Sequence, residues 1–234
     1  ITSAGDYKFT CSNQETANRI VVDGTNTSEQ DNINIYLDNV NIKTSASAGP
    51  ALQIKGEVKA AVTIHLTGTN SLITKNNHYA GLQKDNKAQL IIKTNDSDAT
   101  AGILNARSID GDGAGIGGGY YGSGSCSNII IDSCSVIASS KYGAGIGGSK
   151  QRAGSDITIN SSSVTASSTD GAGIGGGGYG AGSGSDITIN SSSVTASSTN
   201  GAGIGGGYEY GGSCKNITIN GGSVKASSVS GSPT

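Results

Sequence analysis

Side chains able to do chemistry are scarce in this 234-residue chain, and those present recur at a regular spacing. Four Gly-rich segments carry one such recurring set: GGGYYGSGS, GGSKQRAGS, GGGGYGAGS and GGGYEYGGS. Five of the nine Tyr fall there, namely Tyr120, Tyr121, Tyr179, Tyr208 and Tyr210, while Lys150, Gln151 and Arg152 fill the same place in the copy without Tyr. A phenol joins a flat apolar face to a hydroxyl, which is the combination that holds the face of a sugar ring. These Tyr, with Lys150 and Arg152, are therefore the candidate carbohydrate-binding residues. The competing reading has each ring covering the glycine backbone beside it.

Acidic side chains form two further series. One runs Asn128, Asp156, Asp186 and Asn216; the other runs Asp112, Tyr142, Asp170 and Asn200, with Asp110 close by in SIDGDG. Stacked carboxylates repel unless water or a cation lies between them, and a hard cation such as Ca²⁺ accepts such oxygens together with loop carbonyls. Asp110, Asp112, Asp156, Asp170 and Asp186 are the candidate calcium ligands, set against the reading that they are solvated surface acids.

Catalysis has little to work with. The only two His, His65 and His78, fall in different parts of the repeat, and no nucleophile stands beside a base. Of three Arg, Arg19, Arg107 and Arg152, only Arg107 lies near acids, whereas polysaccharide lyases and hydrolases need a cleft of clustered Asp with Arg or Lys. GAGIGG invites comparison with phosphate-binding glycine loops, but it recurs and has neither a following helix nor a Lys-Ser/Thr pair. A net charge of −2 without charge runs argues against nucleic acid, and no stretch approaches the roughly 20 apolar residues of a membrane span. Outward Thr rows, Thr158, Thr188 and Thr218, bring ice binding into view, although Ile130 interrupts them.

The elements that position these residues follow from the repeat. GAGIGG begins at Gly113, Gly143, Gly171 and Gly201, and SDITINSSSVTASST occurs verbatim at Ser155 and Ser185. The apolar residue of the motif traces back as Leu52, Leu82, Ile116, Ile146, Ile174 and Ile204, at intervals of 28–34 residues. Within one period, three short runs alternate apolar and polar, the pattern of strands with one buried face. Helix is excluded by glycine, 39 residues in all, at a cost of about 1 kcal/mol each in a helix interior. Such periods stack, each strand pairing in parallel with its equivalent about 4.8 Å away. The expected fold is an all-β, single-stranded parallel β-helix of three strands per coil.

Several details follow from that register. Inward columns should run Ile131, Ile159, Ile189, Ile219 and Val136, Val164, Val194, Val224. The corner column Asp132, Asn160, Asn190, Asn220 should carry amide hydrogen bonds from coil to coil. Residues 1–31 fit the pattern poorly and are expected to cap the array; 32–230 form the repeats and 231–234 a tail belonging to a longer protein. Cys126 and Cys214 occupy equivalent positions three coils, or roughly 14 Å, apart, beyond the reach of a disulfide. No bridge is expected among Cys11, Cys126, Cys134 and Cys214, and Cys134 should be buried.

The repeat GAGIGGG, a Gly-rich loop and ITINxxxVTAS, covering Gly113 to Ser228 closely and the earlier coils more weakly, resembles that of large cell-surface proteins of anaerobic Gram-positive bacteria. Those are similar in turn to calcium-containing β-helical carbohydrate-binding modules that attach to plant polysaccharides. The resemblance implies a noncatalytic, extracellular or cell-surface module, joined to other domains, whose partner is a polysaccharide or glycan. A structural stalk or adhesin region is the alternative, ahead of a polysaccharide-degrading enzyme or an ice-binding protein.

Overall fold

The computed structural model describes residues 1–11, 14–120, 126–209 and 212–228, and among them there is no helix. The chain winds as a parallel β-solenoid of about seven turns. Seven first strands form one sheet: Ile20–Val22, Leu52–Ile54, Leu82–Lys84, Ile116–Gly117, Ile146–Gly147, Ile174–Gly175 and Ile204–Gly205. The second and third strands of the coils form another, and every pairing is parallel.

The register matches the columns expected from spacing. Ile131 pairs with Ile159, Ile159 with Ile189, and Ile189 with Ile219; Val136, Val164, Val194 and Val224 follow one another in the same way. Ile35, Ile64, Ile92, Ile131, Ile159 and Ile189 form a continuous column with no solvent exposure. Each buried isoleucine contributes about 1.5–3 kcal/mol by leaving water, so the stack is held by repetition of one thin layer.

Corners set the shape of the coil. The Asn ladder forms as expected: Asn190 Nδ2 donates to Asn160 Oδ1 and Asn220 Nδ2 donates to Asn190 Oδ1, both at 2.8 Å. The next residue, Ser133, Ser161 or Ser191, turns the chain at φ of 46–51°. In the coils containing Gly184–Ser198 and Cys214–Ser228 this turn is so local that the second and third runs read as one 15-residue strand, where two separate strands were expected.

Glycine in the first strand is a steric requirement. Gly175 has φ of +133°, and a Cβ there would lie 2.0 Å from the Gly205 carbonyl oxygen of the next coil. Gly117 and Gly147 repeat this geometry, so close carbonyl packing, not ligand contact, explains the GAGIGG motif.

One expectation is revised and another holds. Residues 1–31 are not a cap outside the array, because Gly5–Thr10 pairs in parallel with Asn32–Asp38, Thr16 bridges to Ile42, and Ile20–Val22 pairs with Leu52–Ile54. They form a coil whose third strand has shrunk to one bridge. The four Cys are unpaired as expected, with Cys134 buried.

Candidate functional site

Each Gly-rich loop leaves the first strand and folds back on the corner of the coil before it. The backbone holds it there: Gly178 N–H donates to the Tyr142 carbonyl, Tyr120 N–H to His78, and Tyr208 N–H to Asp170, at 2.7–2.8 Å. Two residue series that are separate in the sequence, the loop Tyr and the corner acids, are thereby brought onto one edge of the solenoid.

The result is an aromatic ladder one ring per coil. Tyr142 meets Tyr179 edge to face at 5.7 Å between ring centroids, and Tyr179 meets Tyr208 at 6.0 Å. Lys150 Nζ lies 5.0 Å from the Tyr142 ring centre and 5.3 Å from that of Tyr179, while Lys141 Nζ lies 4.9 Å from Tyr142. Toward the N-terminal coils Lys150 pairs with Asp112 at 3.2 Å, Asp112 faces His78 Nδ1 at 3.9 Å, and His78 stacks on Tyr120 at 5.8 Å.

Charge is arranged beneath the rings. Asp170, 4% exposed, accepts from Asn200 Nδ2 at 2.5 Å. Burial, then the neighbouring Asp170 carboxylate, pushes the Tyr179 phenol above its ordinary range, so its hydroxyl stays a proton donor at neutral pH. The hydrogen bond to Tyr142 and its nearby ring raise the Lys141 ammonium above its ordinary value.

Of the residues expected to bind carbohydrate, Tyr120, Lys150, Tyr179 and Tyr208 stand in this ladder. Arg152 is exposed and takes part in none of its contacts. Tyr121 and Tyr210 lie outside the described residues. Tyr142, His78 and Lys141 join the edge without having been singled out for it. Tyr142 replaces the acid or amide found at Asp112, Asp170 and Asn200, and that break in an otherwise polar column was the available signal.

The five acids expected to hold Ca²⁺ divide between two places. Asp112 and Asp170 sit under the ladder facing Lys150 and Asn200, with exposed Asp110 two residues from Asp112. Asp156 and Asp186 lie along a groove they share with Thr158 and Thr188. Both take the left-handed backbone, φ 49° and 53°, as do Asn128 and Asn216 at 60° and 55°. Asp and Asn adopt that conformation more readily than other non-glycine residues, so the turn itself accounts for this column. Asn216 Nδ2 donates to Asp186 Oδ1 at 2.7 Å, which holds the carboxyl below its usual range. Among the described residues no three His, Cys, Asp or Glu side chains gather as a metal set.

A family model described as a beta helix repeat matches residues 157–185, 187–208 and 217–232. The matched segments coincide with the coils in which the strand columns and the Asn ladder are most regular. The fold is a parallel β-solenoid, and its later coils match that repeat. No curated protein and no solved structure gives a significant match to it.

Proposed function

We propose that this parallel β-solenoid is a noncatalytic carbohydrate-binding module, outside the cell or on its surface, that holds a polysaccharide or glycan along the Tyr edge. The observation that carries this reading is the ladder Tyr142–Tyr179–Tyr208, bordered by Lys150 and Lys141. Successive rings 5.7 and 6.0 Å apart give an extended chain of sugars repeated apolar faces. Phenol hydroxyls and ammonium groups supply the hydrogen bonds that orient it.

The noncatalytic part of the reading rests on what the reactive groups face. His65 stacks on Tyr36 at 4.4 Å, and burial pushes the Cys126 and Cys134 thiols up to about 11 and about 12. Neither thiol is a nucleophile at neutral pH.

A glycan array probed with the whole chain, with and without a chelator, tests the reading. Tyr179→Ala and Tyr208→Ala should each weaken the strongest signal about tenfold or more, since an aromatic contact is worth about 0.5–1.5 kcal/mol beyond its buried area. Binding that is indifferent to both substitutions overturns the ladder as the site. Silence across plant and mucin glycans favours the stalk reading, which the continuous Asn and Ile columns would serve as stiffeners.

A further inference from the structure

In the early coils the loop between first and second strands is short, and this leaves a cleft of about 620 Å³. That volume lies within the roughly 300–1,000 Å³ of small-molecule sites. Val58 and Ala88 give it apolar wall; Lys59, Glu29 and Asp85 stand around it. Asn86 also lines it and is only 7% exposed. Its Nδ2 donates to the Val58 carbonyl at 2.7 Å, and its backbone carbonyl accepts from the buried Lys84 Nζ at 2.8 Å. Its side-chain oxygen, however, is buried without a hydrogen-bond partner. Buried acceptors are rarely left so, and one beside a cleft is suited to a donor brought by a ligand.

The cleft adjoins the Tyr edge. Asp85 on its wall accepts from the Gly119 N–H, and Gly119 directly precedes Tyr120, the ring stacked on His78.

We propose that this cleft is the end subsite of the glycan-binding edge and takes an acetamido sugar, whose N–H donates to Asn86 Oδ1 while its methyl lies against Val58 and Ala88. The alternatives fit less well. A plain hydroxyl leaves the apolar wall uncovered, and a charged sugar of either sign meets a balanced lining, Glu29 and Asp85 against Lys59 and Lys87, that gives it no net attraction. The proposal rests on the carbohydrate reading above and adds a chemical preference to it.

The test compares the N-acetylglucosamine tetramer with the glucose tetramer of the same linkage by calorimetry, using wild type, Ala88→Phe, Asn86→Leu and Tyr179→Ala. Saturation-transfer NMR with N-acetylglucosamine alone runs alongside. The wild type should prefer the acetamido tetramer about tenfold, the worth of one hydrogen bond and a covered methyl. Ala88→Phe, which fills the cleft from a half-exposed position, should erase the preference and the methyl signal; Asn86→Leu should do the same if it folds. Equal binding of the two tetramers by the wild type, or a preference that survives Ala88→Phe, overturns the cleft proposal. Tyr179→Ala separates the two readings. If it weakens both tetramers alike while the wild type does not discriminate, the ladder stands and the cleft proposal falls. If no tetramer binds but the methyl signal is present in wild type and absent in Ala88→Phe, the ladder falls and the cleft stands. If nothing binds, both fall.

Discussion

Replacing Lys84 by Met should stabilise this protein, against the usual direction of a core substitution. Lys84 has no solvent exposure; its ammonium donates to the Asn86 carbonyl at 2.8 Å, and the buried Cys126 and the Asp85 carboxylate lie near enough to interact with it electrostatically. Burial, the largest influence, pulls the amine below its ordinary value of 10.5. Desolvating a buried charge costs several kcal/mol even with an acid nearby, and replacing such groups by apolar side chains of similar volume is commonly neutral to stabilising by about 1–4 kcal/mol. Met keeps the length and the apolar stem of Lys84, so a gain of about 1–3 kcal/mol is expected at pH 7. The pH dependence gives a second handle. The unfolded chain holds its Lys84 proton up to pH 10.5, whereas the folded chain releases it at lower pH. Wild-type stability therefore rises with pH between those two values, by about 1.4 kcal/mol per unit of separation. Below the folded value the penalty is constant, and above 10.5 it vanishes. Urea unfolding followed by circular dichroism at pH 7 and above pH 10 should show the Lys84→Met advantage shrinking at the higher pH. A variant less stable than wild type at both pH values would refute the reasoning, because the bond to Asn86 would then outweigh desolvation.

Gly175→Ala should lower stability by about 2–5 kcal/mol, combining strain at positive φ with a Cβ 2.0 Å from the Gly205 oxygen. Gly56→Ala, whose Cβ would sit 3.6 Å from its nearest neighbour, should change the melting midpoint little, and equal effects at the two sites would contradict the close-packing account. Native-state thiol labelling at pH 8 should modify exposed Cys214 readily. Cys126 and Cys134, with thiols at about 11 and about 12, should react only on unfolding, since about one thiol in a thousand or fewer would be ionised.

How far the sequence reached depended on whether a contact lay within one column or between two. Columns were legible because a β-solenoid maps a fixed residue offset onto one direction in space. Ile131 to Ile219, the Asn ladder and the equivalence of Cys126 with Cys214 all follow from counting. The first coil was missed because its third strand is a single bridge at Thr16, which leaves no alternation to detect. The ladder was half legible. Tyr120, Tyr179 and Tyr208 share a loop position, but Tyr142 and His78 come from corners one coil earlier and meet Tyr179 and Tyr120 only because the loop folds back, as in the bond from Gly178 to Tyr142. Asp156 and Asp186 are ambiguous in the sequence for a different reason. A backbone preference for Asp or Asn at positive φ and a cation's preference for carboxylates leave the same mark in a sequence.

The parallel register also bears on how such a chain changes length. Ser155 to Thr169 and Ser185 to Thr199 are identical in sequence and pair directly, Ile157 with Ile187 and Val164 with Val194. Because each coil touches only the one before and the one after, a copy added or lost whole meets the same Ile, Val and Asn faces that its neighbours already present. Unequal recombination within that repeated stretch would move the coil number by one without opening the core. Each step would lengthen or shorten the Tyr edge by one rung and, on the carbohydrate reading proposed above, its reach along a polymer, with no new side chain invented.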